Sequence, residues 1–305
     1  MNRRNFSRNL AGAALGVAAL TGEPKLIQGG QTRSGGQPDV PFKLSVMLWT
    51  VFKHLPFEER LEKVAQAGYK NVELVGEYAH WSENEFKRAN NKRNELGITF
   101  DTTAGLKHGA GNPKDREAML ADVRHELPIM EKIDCPAVII MSGNVVPGMP
   151  REVQHQSCVD GLKRAAQLVE GKKINGQPVR LLLENIDPEE NPKYYLTSVA
   201  EGFEVIRAVD HPQVQLLYDF FHEQIAEGNL IEKLEKNIRY TGLVHIADVP
   251  GRHEPGTGEI NYGNIYRKLA QLKYDRIVAM EFIPIGDPVA ELSHAREIAL
   301  KLGRA

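Results

Sequence analysis

From Phe42 onward the chain alternates eight times between a short β-branched or apolar run and a longer amphipathic stretch. The apolar runs fall at 43–51, 71–75, 98–103, 137–141, 179–186, 214–222, 242–248 and 276–283. The stretches between them carry the 3.6-residue period of helices. Phe57, Leu61, Val64 and Ala65 share one face, and Val289, Leu292, Ala295, Ile298 and Leu302 share another. Gly68 and Gly97 are placed to end the first two helices. Strands that alternate singly with helices pair in parallel, because each crossover must return over the sheet. Eight such units fill the roughly 250 residues typical of a (β/α)8 barrel, so the expected fold is a single-domain TIM barrel over residues 42–305. An open doubly wound sheet is the structural rival. It calls for a glycine-rich turn after the first strand, and the sequence has none there.

Residues 1–41 break the pattern. Arg3 and Arg4 are adjacent, Arg8 follows, and an apolar run extends from Leu10 to Leu20. A basic stretch before a short apolar stretch is the layout of a secretory signal, and the paired arginines match a twin-arginine export signal. The run is shorter than the roughly 20 apolar residues a bilayer span needs. The expectation is therefore a signal at 1–20, a Gly-, Gln- and Pro-rich linker at 21–41, and a periplasmic or otherwise exported barrel without a stable membrane anchor. A disordered basic N-terminus on a cytoplasmic protein is the alternative.

The 305 residues carry a net charge of −2, with no block of like charge. That balance gives no electrostatic basis for binding nucleic acid or an anionic membrane. Cys135 and Cys158 lack CxxC or Cys/His metal spacing and read as two buried free thiols.

Side chains at the C-terminal ends of barrel strands point at the active site, so the residues that close each apolar run matter most. Four late runs end in an acid or an imidazole: Leu181-Leu182-Leu183-Glu184, Leu216-Leu217-Tyr218-Asp219, Leu243-Val244-His245 and Val278-Ala279-Met280-Glu281. An unpaired charge is costly to bury in such a run. Any one of these residues could cap a strand or sit in an ion pair. Four at equivalent places on consecutive strands converge on one mouth, and three carboxylates meeting there need a cation. The expected metal site is Glu184, Asp219, His245 and Glu281. Its oxygen-rich set favours one divalent Mn²⁺ or Mg²⁺ ion, with Zn²⁺ or Co²⁺ as alternatives.

These residues also carry a resemblance. The stretches Glu184-Asn185-Ile186-Asp187-Pro188, Tyr218-Asp219-Phe220-Phe221-His222, Arg252-His253-Glu254-Pro255 and Gly258-Glu259-Ile260-Asn261-Tyr262, with Glu281-Phe282, resemble hydroxypyruvate isomerases. More broadly they resemble the xylose-isomerase-like barrels, a superfamily of sugar isomerases, epimerases and metal-dependent endonucleases. The resemblance implies that Glu184 and Glu281 are the catalytic acid–base pair and also ligate the metal beside Asp219 and His245. It implies that His222 and Arg252 contact substrate oxygens. Two features depart from hydroxypyruvate isomerases. They generally carry Gln at the position of His245, and their loops after the second and third strands differ from residues 76–81 and 102–109 here.

The function these readings imply is isomerisation or epimerisation of a keto-sugar or small hydroxy-carbonyl acid. Glutamate-mediated proton transfer would pass through a metal-stabilised enediolate. The partner is a small carbohydrate-type molecule, and a homo-oligomer is left open. One rival is a lyase or hydratase of 3-keto-sugars or glycosides, which uses the same metal and base. Another is a non-catalytic sugar-binding barrel. A metal-dependent endonuclease needs additional histidine ligands and a basic groove, whereas the early strands offer Trp49, Glu73 and Thr103. His253, Glu254 and Glu259 read as loop scaffolding.

Overall fold

A computed structural model describes residues 40–304. Eight parallel strands close on themselves in chain order: β1 (Lys43–Met47), β2 (Asn71–Val75), β3 (Thr99–Ala104), β4 (Ala137–Met141), β5 (Arg180–Glu184), β6 (Val214–Asp219), β7 (Thr241–Ile246) and β8 (Ile277–Met280). β8 returns to β1, pairing Met280 with Val46. The expected barrel is therefore present. The helices are α1 (Phe57–Gln66), α2 (Glu83–Leu96), α3 (Arg116–Lys132), α4 (Arg151–Val169), α5 (Val199–Val209), α6 (Phe220–Ala226), α7 (Leu230–Asn237), α8 (Tyr262–Gln271) and α9 (Pro288–Leu302). No helix among the described residues is long and apolar enough to cross a membrane. The expected signal at 1–20 and nearly all of the expected linker lie outside the described residues.

Local chemistry sets the element ends. Ser82 and Glu85 form a reciprocal capping box at the start of α2, and Gly97 closes that helix at φ +64°, where a residue without Cβ pays no steric penalty. Five strands stop short of their apolar runs, β1, β6 and β8 by three residues or more. β1 ends at Met47 because the chain tightens into a 3₁₀ turn over Leu48–Thr50. β6 ends at Asp219, whose Oδ1 accepts the amides of Phe221 (2.7 Å) and His222 (3.2 Å) and so caps α6. β8 ends at Met280, three residues before the apolar run does.

Alternation along each strand separates two apolar layers. On one face of each strand, residues such as Val72, Leu74, Leu181, Leu183, Val244 and Val278 pack outward under the helices. Inward, Met47, Ile139, Leu182, Leu217, Leu243 and Ala279 fill the barrel as a second cluster. Each residue expected to ligate the metal lies two positions beyond one of these inward residues: Glu184 after Leu182, Asp219 after Leu217, His245 after Leu243 and Glu281 after Ala279. Strand register aligns them, with Asp219 beside His245 and Ala279 beside His245 across the two ladders. The apolar plug therefore forms the floor on which four polar side chains stand.

At the opposite end, Asp101 of β3 is buried and accepts Ser45 Oγ–H at 2.6 Å. Burial, reinforced by the nearby Glu73 charge, pushes its carboxyl up to about 8. An acid whose pKa rises on folding from about 3.9 takes up a proton. Stability from this group is then fullest below about pH 4, falls as pH rises toward 8, and is level above it. Asp101→Asn is neutral throughout and removes that slope. Wild-type stability relative to the variant should fall by roughly 1.4 kcal/mol per pH unit between about pH 5 and 8, as read from denaturant melts. A difference that stays flat with pH would show Asp101 ionised in the folded chain.

Candidate active site and cation centre

The four strand-end residues meet at the C-terminal mouth. Glu184, Asp219, His245 and Glu281 each offer one ligand atom, and these atoms all lie within 4.8 Å of one another. His245 Nδ1 is 2.8 Å from Glu281 Oε2, 3.6 Å from Glu184 Oε1 and 3.7 Å from Asp219 Oδ2. Asp219 Oδ2, His245 Nδ1 and Glu281 Oε2 are buried, yet none has a hydrogen-bond partner among the described residues. Buried polar atoms are rarely left so. Ligand bonds of about 2.0–2.6 Å bring donors on one ion to about the spacing seen here, so the set fits a single divalent cation.

The electrostatics point the same way. Burial opposes a proton on His245, but the charges of Glu281 and Glu73 outweigh it and drive the imidazole well above its ordinary pKa. The cluster thus demands positive charge strongly enough to recruit a proton. Burial pushes Glu184 above the ordinary carboxylate range despite His245 beside it. Burial pushes Glu281 the same way, but Arg252 and His245 prevail and hold it below that range. Asp219 is also buried, and His222 and Arg252 hold it low.

Around this set lies a shell that fixes it. His245 Nε2 is 3.0 Å from Glu73 Oε2 on β2, which leaves Nδ1 facing the cluster. Glu281 Oε1 accepts Trp49 Nε1–H at 2.8 Å and lies 2.8 Å from Arg252 Nη2. Arg252 also reaches Glu190 Oε2 at 2.8 Å. Glu254 accepts the amide of Ile285 and holds the loop. Arg252 adopts φ +58°, a conformation costing about 1–2 kcal/mol that the surrounding contacts must offset. His222 stands beside the cluster, its Nε2 3.5 Å from Asp219 Oδ2 and its Nδ1 2.5 Å from Asp187 Oδ2. The six expected residues are thus brought together.

Four further residues belong to the site. Glu73 interrupts Val72 and Leu74 just as the late-strand acids interrupt theirs, so its signal was present in the sequence. Trp49 sits within the turn that shortens β1. Asp187 and Glu190 come from the loop after β5, where no periodicity marks them.

A cavity of about 270 Å³ opens above the cluster. Trp49, Val75, Leu106, Ile139, Met141 and Ile186 form an apolar wall, facing Glu184, Glu190, His222, Arg252 and Glu281. Its volume falls at the low end of the roughly 300–1,000 Å³ of small-molecule sites.

A parallel eight-stranded barrel with a carboxylate–imidazole cluster at its C-terminal mouth has the layout of an enzyme's small-molecule site, and the cluster could hold a metal ion. The chain belongs to the xylose isomerase-like TIM barrel family, which it matches over residues 61–299. It is 32% identical over 255 residues to the 2-oxo-tetronate isomerase of Haemophilus influenzae, covering 82% of this chain and 96% of that protein. It is 29% identical over 252 residues to the hydroxypyruvate isomerase of Escherichia coli, covering 79% and 93%. Among solved structures, an AP endonuclease of family 2 from Brucella melitensis superimposes with a TM-score of 0.74 at 24% identity, over 85% of this chain and 99% of that one. That likeness shows the fold.

Proposed function

We propose that this protein is a divalent-metal-dependent isomerase or epimerase acting on a keto-sugar or a small hydroxy-carbonyl acid. One observation carries the reading. Glu184 and Glu281, on the first and last of four consecutive strands, both reach the same cation position and both line the floor of the same small cavity. The relatives named as 2-oxo-tetronate isomerase and hydroxypyruvate isomerase support the reaction class.

Both reactions begin when a base removes a proton from carbon next to a carbonyl, and both end when an acid returns one. Glu281, held ionised by Arg252, is equipped to accept a proton. Glu184, whose carboxyl burial favours in its neutral form, is equipped to give one. Two carboxyl groups pushed apart in this way are the usual pattern of an acid–base pair. When bound, a divalent ion supplies Lewis-acid stabilisation of negative charge that develops on substrate oxygens. His222 and Arg252 hold donors beside the two glutamates, where they can orient substrate oxygens. The apolar wall keeps water from the reacting carbon.

The test is proton exchange. Purified full-length chain, supplied with Mn²⁺ or Mg²⁺ in deuterated water, is expected to exchange the hydrogen next to the carbonyl of ketoses or of hydroxypyruvate. Binding without exchange across all of them would favour the non-catalytic sugar-binding reading.

A further inference from the structure

We infer that the N-terminal end of the barrel, opposite the proposed active site, holds a second binding site. It takes a small oxyanion, the carboxylate of an organic acid or a phosphate group, between Arg180 and Arg276. The inference is independent of the chemistry proposed for the mouth.

The alternation that stands four polar residues above the apolar plug also places residues below it. Ser45, Arg180 and Gln215 lie two positions before the inward residues Met47, Leu182 and Leu217. Arg180 and Gln215 line a cavity of about 570 Å³, larger than the one of about 270 Å³ at the mouth. A short hairpin, in which Ile174 pairs with Gln177, supplies part of its wall. The hairpin turns at Asn175 and Gly176, with φ of +47° and +75°, as a tight two-residue turn requires.

Two observations point to an anion. The first is a pair of arginines. Arg180 Nη1 donates to Gly242 O at 3.0 Å and Arg276 Nη1 donates to Thr241 O at 2.6 Å, so the two guanidiniums hang side by side on consecutive carbonyls of β7. Both line the cavity and both are half-buried, yet neither pairs with a carboxylate among the described residues. Each therefore keeps donors to spare. Burial holds Arg180 below its ordinary pKa, and the charge of Arg276 adds to that effect. An oxyanion between them relieves both.

The second observation is Gln215. It is 6% exposed, and its Oε1 is buried without a hydrogen-bond partner among the described residues. Buried polar atoms are rarely left so. A half-turn of the carboxamide puts its NH2 in that place, as a further donor to the same ligand.

The balance of charge favours an anion too. Lys43, Arg180 and Arg276 bring three positive charges to the lining, and Asp275 on the exposed rim brings one negative charge. The other acid there is Asp101, whose carboxyl burial and the Glu73 charge push up to about 8, so it is largely neutral at pH 7. Guanidinium forks bind carboxylate and phosphate oxygens with short, charge-assisted hydrogen bonds.

Calorimetry on the full chain at pH 7, with ionic strength fixed by chloride, tests the site with inorganic phosphate and with malonate. At least one of them is expected to bind saturably with a dissociation constant of about 1 mM or tighter. Arg276→Gln should weaken that binding by at least about tenfold. Arg180→Lys keeps the charge but loses the fork, and should weaken it about as much. Circular dichroism melts verify that each variant is folded. Metal at the mouth can also attract these anions, so the reading is the difference between the parent and variants altered at the other end of the barrel. Tighter phosphate binding assigns a phosphate-bearing ligand, tighter malonate binding assigns an organic acid, and either supports the site. No saturable binding of either anion in that range, or binding unchanged in both variants, would overturn it.

Discussion

Glu184→Gln and Glu281→Gln should each lower turnover and solvent proton exchange by at least about 10²–10⁴-fold, the usual worth of a positioned acid or base, while leaving the barrel folded. The amide keeps the volume of the side chain, so the packing of Leu182 and Ala279 beneath it is undisturbed. At position 281 it also keeps an acceptor for Trp49 Nε1–H. What changes is charge and basicity. The new NH2 group cannot accept a proton, and it turns a donor toward the cation position, where a ligand atom stood. In the metal-free protein Glu184→Gln should leave the melting temperature unchanged or higher, since burial opposes that charge, whereas Glu281→Gln should lower it somewhat, since Arg252 and His245 favour that charge. Circular dichroism melts run beside the exchange assay separate loss of chemistry from loss of fold. Near-normal exchange in both variants would sink the acid–base assignment.

The second large effect concerns the cation. Asp219 does two jobs with its two oxygens: Oδ1 caps α6, and Oδ2 faces the cluster without a hydrogen-bond partner. Asp219→Ala should lose both, at a cost of about 0.5–2 kcal/mol for the cap. Asp219→Asn keeps an acceptor for the cap and loses only the charge. Elemental analysis is expected to find both variants depleted of metal, with the Asn variant less stable than the metal-free parent for want of the charge that His222 and Arg252 favour, and the Ala variant lower still for want of the cap. Glu73→Gln, which weakens the support of His245 without touching the ion, should cost roughly 10–100-fold in metal affinity. Adding metal to the stripped parent at about 100 times its dissociation constant should raise stability by about 2.7 kcal/mol. Undiminished metal in Asp219→Asn would refute the proposed ligand set.

Much of this molecule could be read before its structure. The eightfold alternation carries the topology, because a single helix between strands leaves few ways to pair them. The four late-strand residues were legible because a charge inside an apolar run is expensive, and because their common spacing placed them on one ring. Other parts were hidden for physical reasons. α6 follows β6 with no intervening turn, so the apolar run through Phe220 and Phe221 reads as strand until Asp219 is recognised as its cap. Glu73 gave the same kind of signal as Glu184, but it stood alone on the early half and its partner lies 172 residues away. Asp187 and Glu190 sit in a loop whose role comes from where it folds, and no local pattern encodes that.

The ring of strands also divides its labour. The four proposed ligands come from β5 to β8, while most of the apolar wall comes from the turn after β1 and the ends of β2 to β4. Reactivity and selectivity therefore occupy opposite semicircles of one scaffold. Side chains at Val75, Leu106 or Met141 can be exchanged, and the loops beside them lengthened, without removing a hydrogen bond to any proposed ligand, whereas Trp49 is tied to Glu281. A barrel partitioned in this way can diversify its substrates by drift on one arc while the other keeps a single chemistry.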